Sequence, residues 1–243
     1  MADSDRVAYG APRHSAIVRW THWIVALCFF ALLLSGVEIL ISHPRLYWGE
    51  AGNVLSDPLF TIPIPASRRS VPTGYSFVLK DQNSWSRSLH FQSAWFVFFA
   101  ALVYGAAGLV TRHFRKNLLP GAADLTASSL ARTIGEHLRF QRPPPEEAWS
   151  YNSLQRIAYL GVVFGLFPLM FWTGLAMSPG FVSAFPWAAT VWGGQQSART
   201  IHFFATVLLV WFLLVHVVMV YRAGFTNRMR AMITGRVEGK ERS

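Results

Sequence analysis

The stretch RTIHFFATVLLVWFLLVHVVMVYR, residues 199–222, decides the fold. It is long and apolar enough to cross a bilayer, whose hydrocarbon core of about 30 Å takes about 20 helical residues at about 1.5 Å each. Yet it holds two histidines, His202 and His216. Three more runs of this kind lie outward from it, so that spans are expected at 17–41, 89–110, 157–177 and 201–221. None alternates as a barrel strand does, and each is far too long for a buried strand. Of the 243 residues, 52% are hydrophobic and 14% are charged, where a soluble domain carries about 25% charged residues. The mean hydropathy is +0.30. The expected class is all-α: one integral membrane four-helix bundle over residues 1–243.

Charge gives the orientation. Arg6, Arg13 and Arg19 precede the first span, six basic residues lie between 112 and 142, and six more between 222 and 242. The loops at 42–88 and 178–199 hold fewer. The positive-inside rule therefore places both termini and the 111–156 loop in the cytoplasm, in a multi-pass membrane protein. The net charge of +10 is accounted for by topology and by anionic membrane lipid rather than by nucleic acid. No small-residue cleavage site follows the first apolar run, which is read as a permanent helix. The single cysteine, Cys28, lies inside that helix, which excludes a disulfide framework or a cysteine metal cluster within this chain.

The first external loop, about 42–88, is long and rich in proline, serine and aromatics (HPRLYWGE, PLFTIPIPASRRSVPTGYSF). It reads as a folded or interfacial segment suited to an extracytoplasmic partner. DLTASSLARTIGEHLRF, 124–140, spaces Leu125, Leu130, Ile134 and Leu138 as a short interfacial helix would, and the prolines of RPPPEEAW, 142–149, end it.

Four of the eight histidines fall in the spans: His22, His90, His202 and His216. Ionisable residues at membrane depth are costly and mark function. Because the spans alternate in direction, His22 and His216 share a depth near the cytoplasmic ends, and His90 and His202 share one near the external ends. The fourteen residues between His202 and His216 rise roughly 21 Å and make nearly four turns, which turns both imidazoles to similar faces. Two histidines per site under-coordinate zinc, which takes four ligands. A haem supplies four nitrogens itself and needs only two axial ligands. Two stacked bis-histidine haems are therefore expected, with Gly36, Gly105, Gly108 and Ala205 small enough to admit a flat macrocycle. Thr21, Ser93 and Thr206 are candidate partners for the second nitrogens of the ligands. His14, His43, His113 and His137 fall in loops or at edges.

The motifs RWTHW, LHFQSAW, YNSLQ and SARTIHF…VHVVMVYR resemble the di-haem membrane cytochromes b of formate dehydrogenase, nickel–iron hydrogenase and thiosulfate reductase complexes, over roughly 13–236. TGLAMSPG, GGQQSARTIHF and MITGR are most similar to the thiosulfate-reductase branch. The resemblance implies an electron-transport subunit of the bacterial-type inner (cytoplasmic) membrane with two b-type haems, His22 and His216 holding the cytoplasmic one and His90 and His202 the external one. It implies quinone contact at Asn152, with Gln155 one turn on, and an extracytoplasmic molybdopterin oxidoreductase subunit as partner. Arg19, Arg199 and Arg222 lie where haem propionates would emerge. The long first loop departs from the formate-dehydrogenase pattern and fits a different external enzyme. Two alternatives stand beside this reading: a stand-alone quinone-linked oxidoreductase acting on superoxide or ferric iron, and a haem-free transporter or scaffold.

Overall fold

The structure, a computed structural model, describes residues 14–53, 55–63, 83–121, 126, 128–129, 131, 135 and 153–236. It is an all-α membrane four-helix bundle. Helix α1 runs over Ala16–Ser42 and α2 over Asn83–Val110. The third span is composite, with α3 at Ser153–Leu160, a π-helical stretch at Gly161–Leu166 and α4 at Phe167–Ala176. Two short helices, α5 (Pro179–Ala184) and α6 (Trp187–Thr190), lead into α7, Gln195–Arg222, and α8 follows at Phe225–Thr234. The segments Ala16–Ser42, Trp85–Val110, Leu154–Ala176 and Gln195–Arg222 are long and apolar enough to cross a membrane.

These segments differ from the expected spans by a few residues except at two N-termini. Helices α2 and α7 begin at Asn83 and Gln195, nearly two turns early, because their first residues are mostly polar and carry no sustained apolar signal. In the third span, Pro168 has no N–H to give the carbonyl of Phe164, four residues back. The backbone before it widens into the π stretch, which also contains Gly161 and Gly165.

Burial in the spans runs opposite to that of a soluble bundle. Leu27 and Trp211 are 72% and 66% exposed, while Ser35 and Thr173 are fully buried beside small residues such as Ala205. Large apolar side chains face outward, as hydrocarbon solvent allows, and small or hydroxyl-bearing ones face inward.

The chain divides into two compact units, one of 1–23, 101–161 and 212–243, the other of 24–100 and 162–211. In the first, α8 is fastened by its C-terminal carbonyls. Arg19 Nη1 donates to Ile233 O at 2.6 Å and Trp23 Nε1 to Met232 O at 3.1 Å, and the helix stops at Gly235 in the left-handed region, φ +84°. A guanidinium there both satisfies an end carbonyl and faces the negative end of the helix dipole. Arg19→Ala should accordingly speed hydrogen exchange of the 225–234 amides about tenfold, the effect of losing one charge-assisted hydrogen bond. Unchanged exchange by mass spectrometry would remove Arg19 from that role.

In the second unit, the opening of the first external loop is folded, as its composition suggested. Strands β1 (Arg45–Leu46) and β2 (Phe60–Thr61) pair antiparallel, and Leu46 and Tyr47 are buried. This segment seats on the N-terminus of α7. Gln196 N and Ser197 N donate to Gly49 O at 3.0 and 3.2 Å, Ser197 Oγ accepts from Gly49 N at 2.7 Å, and Thr200 Oγ1 donates to Tyr47 O at 2.6 Å. A carbonyl from a distant loop thus caps helix donors that would otherwise be orphaned. The rest of that loop, 64–82, lies outside the described residues, as do most of 124–140 and all of 142–149, where the interfacial helix and its proline stop were expected.

His43 marks the base of this folded segment. Burial, and then the nearby Arg199 and Arg87, hold its imidazole below its ordinary value against the opposing pull of the Ile39 carbonyl. The folded state therefore keeps His43 neutral where the unfolded chain binds a proton. Its contribution is complete above about pH 6.5 and is lost as pH falls through the lowered value. His43→Asn should flatten the acid side of the Tm–pH curve below about pH 6.5. A curve parallel to that of the unsubstituted protein would contradict this.

Candidate functional site

Each unit contains one pair of membrane histidines. In the unit with the termini, α1 supplies His22 and α7 supplies His216, with ring centroids 6.4 Å apart and planes inclined by 50°. In the other unit, His90 of α2 meets His202 of α7 at 6.3 Å and 53°. The two pairings expected from depth along the spans are the two that the structure brings together. The separations agree to 0.1 Å and the inclinations to 3°.

The sequence model of the prokaryotic cytochrome b561 family matches residues 13–235. The chain belongs to that family. Neither the curated proteins nor the solved structures searched returned a match. As a prokaryotic cytochrome b561 it is a multi-pass bacterial inner-membrane protein that binds b-type haem and transfers electrons.

The residues present fit that cofactor. An imidazole–metal bond is about 2 Å, and the ring centre lies roughly 1 Å behind the bonding nitrogen, so two imidazoles on one iron have centres about 6 Å apart. Both pairs have this spacing. Among the described residues no cluster of three or more His, Cys, Asp or Glu could hold a bare metal ion, so two-histidine sites suit a group that brings its own equatorial donors.

The surroundings of the outer pair in this cytochrome b561 come from the other two spans. Ser35 Oγ of α1 lies 3.0 Å from His90 Nδ1, and Thr173 Oγ1 of α4 lies 2.9 Å from His202 Nδ1. The next residue in each case is a glycine against the same ring: a Cβ on Gly36 would sit 3.5 Å from His90 Cε1, and one on Gly174 3.6 Å from His202 Cε1. Sequence reasoning missed both hydroxyls because it looked near the ligands in the chain. Of its candidates, Thr206 donates instead to His202 O at 2.9 Å and Thr21 to Ile17 O at 2.8 Å. Gly108 is also reassigned. It lies against the Phe114 ring, which a Cβ there would overlap, so its small size serves packing of that ring, whereas nothing lies within 4 Å of a Cβ on Gly105.

Around the inner pair, Phe212 stacks on His216 at 5.8 Å and 21°, and Tyr159 meets Phe212 edge-on at 6.3 Å. Tyr159 stands one turn after the half-buried Gln155 on α3. Asn152 lies outside the described residues. His22 Nδ1 is buried with no hydrogen-bond partner among the described residues. The three arginines are placed as follows: Arg19 on Ile233 O, Arg199 donating through Nη2 to His43 O, and Arg222 in the last turn of α7.

Proposed function

We propose that this cytochrome b561 is a two-haem electron carrier that connects a quinone pool with an extracytoplasmic redox protein, a molybdopterin oxidoreductase subunit by resemblance. The observation that carries the reading is the equal spacing of two histidine pairs, one in each unit. His22 and His216 would hold the cytoplasmic haem and His90 and His202 the external one, with Arg19, Arg199 and Arg222 toward the propionates. When bound, each haem supplies reversible one-electron chemistry at its iron.

The chain's own residues supply the rest. The outward-facing leucines, phenylalanines and tryptophans keep the site dry by facing lipid. Asn152 and Gln155 would contact the quinone, and the aromatic contacts from Tyr159 through Phe212 support that side by leading from the Gln155 face of α3 to His216. The folded loop supports an external partner, because it seats buried Leu46 and Tyr47 while leaving Trp48, Leu55 and Leu59 exposed.

Quinol added to the purified chain in proteoliposomes should reduce bound haem and then stop until an external protein acceptor is supplied. Gln155→Ala should slow that reduction about tenfold, the effect of one lost hydrogen bond to a polar ligand. Sustained turnover with superoxide or ferric iron alone would replace the partner reading with the stand-alone enzyme. A colourless protein would leave only the transporter or scaffold.

A further inference from the structure

We infer that Ser35 and Thr173 are positioning residues for the outer histidine pair: they fix the tautomer of His90 and His202 and bias the outer haem toward its ferric state. The inference rests on the ligand assignment above and goes beyond it, because neither residue coordinates anything.

The argument is one of donors and acceptors. A hydroxyl has one hydrogen to give and lone pairs to accept with. Ser35 Oγ lies 2.7 Å from Ala31 O and 3.1 Å from Leu32 O, the carbonyls four and three residues back, and gives its hydrogen there. Thr173 Oγ1 does the same, at 2.7 Å from Leu169 O and 3.2 Å from Met170 O. With its hydrogen committed to carbonyls that cannot donate, each hydroxyl can only accept from the imidazole beside it. Each ring therefore carries its proton at Nδ1, which faces acceptors only: Ser35 Oγ and the Leu32 carbonyl for His90, Thr173 Oγ1 and the Met170 carbonyl for His202. The lone pair is left at Nε2, the nitrogen a metal takes.

Two unrelated helices arrive at this arrangement separately. Each presents a fully buried hydroxyl, a back-bond to its own helix and a glycine next in sequence against the same ring. Burial excludes water as a competing acceptor. A ligand histidine whose second nitrogen donates a hydrogen bond is a stronger donor through the first, which favours the more positive iron. Both outer ligands have such an acceptor, while His22 of the inner pair has none among the described residues.

The test is a redox titration of the full-length protein in detergent, with haem counted per chain. The component that disappears in His202→Ala identifies the outer haem. Thr173→Val keeps the volume and removes the hydroxyl, and Ser35→Ala removes the other. Each should raise the reduced-to-oxidised ratio of the outer component about three- to tenfold at a fixed potential, the effect of one net hydrogen bond. Thr173→Ser, which keeps the hydroxyl, should titrate as the unsubstituted protein does. Loss of the outer haem from Thr173→Val and Ser35→Ala, with Thr173→Ser fully loaded, would also support the inference. An unmoved outer component in the hydroxyl-free variants would overturn it and leave the ligand assignment standing. So would equal shifts, or equal haem loss, in Thr173→Val and Thr173→Ser. If no component is lost in His202→Ala, the ligand assignment itself fails, and this inference with it.

Discussion

His202→Ala should halve the haem content, from two per chain to one, and His216→Ala should do the same to the other haem. The two variants should differ in what survives. His202 shares its unit with His90, Ser35 and Thr173, whereas His216 shares its own with His22, Tyr159 and Phe212. His202→Ala should therefore keep quinol-reducible haem while losing electron delivery to an external acceptor. His216→Ala should keep a haem that external reductant reaches and quinol does not. Difference spectra taken with each reductant separate these outcomes. Each haem would be held by two histidines of this chain, so the expected effect of losing one is complete loss of that haem rather than a shift. Retention of both haems in either variant would contradict the pairing.

Gly194→Ala should be the most damaging single-methyl change in the external half. Gly194 adopts φ +119°, which L-residues with a side chain rarely reach. A Cβ there would also overlap the Gly49 carbonyl and the Glu50 amide. Backbone cannot swing aside as a flexible side chain can, and that carbonyl caps α7 through Gln196 and Ser197. Backbone strain and overpacking together should cost about 2–4 kcal/mol. The expected readout is a large fall in Tm of the detergent-solubilised protein, with faster proteolysis between residues 43 and 62. Gly180→Ala makes a suitable control, since Gly180 has no atom within 4 Å of a Cβ and an ordinary φ.

The bilayer made most of the architecture legible. A fixed hydrocarbon thickness sets span length, and the histidine pairs follow from depth and the 3.6-residue turn. What escaped was interaction between segments far apart in the chain. Gly49 caps a helix 147 residues later, as Gln196 N→Gly49 O. Ser35 and Thr173 serve histidines 55 and 29 residues away. Nothing in LLLSGVEIL or LMFWTGLAM announces those partners, because a serine or threonine that bonds its own helix is common in membrane spans. Helix α8 was missed for a different reason. It is a short amphipathic helix held by Arg19 and Trp23, and the sequence alone marks only its MITGR end, as a motif of the resemblance. Gly108 shows the converse error: a small residue in a span marks close approach of some group, and here the group is the Phe114 ring.

The most direct test of the central claim is a pyridine haemochrome assay on purified, haem-replete protein, referred to chain concentration by amino-acid analysis. Two b-type haems per chain are expected, one for each histidine pair. One haem per chain would contradict the claim, leaving the second pair of rings, at the same spacing as the first, without an iron between them.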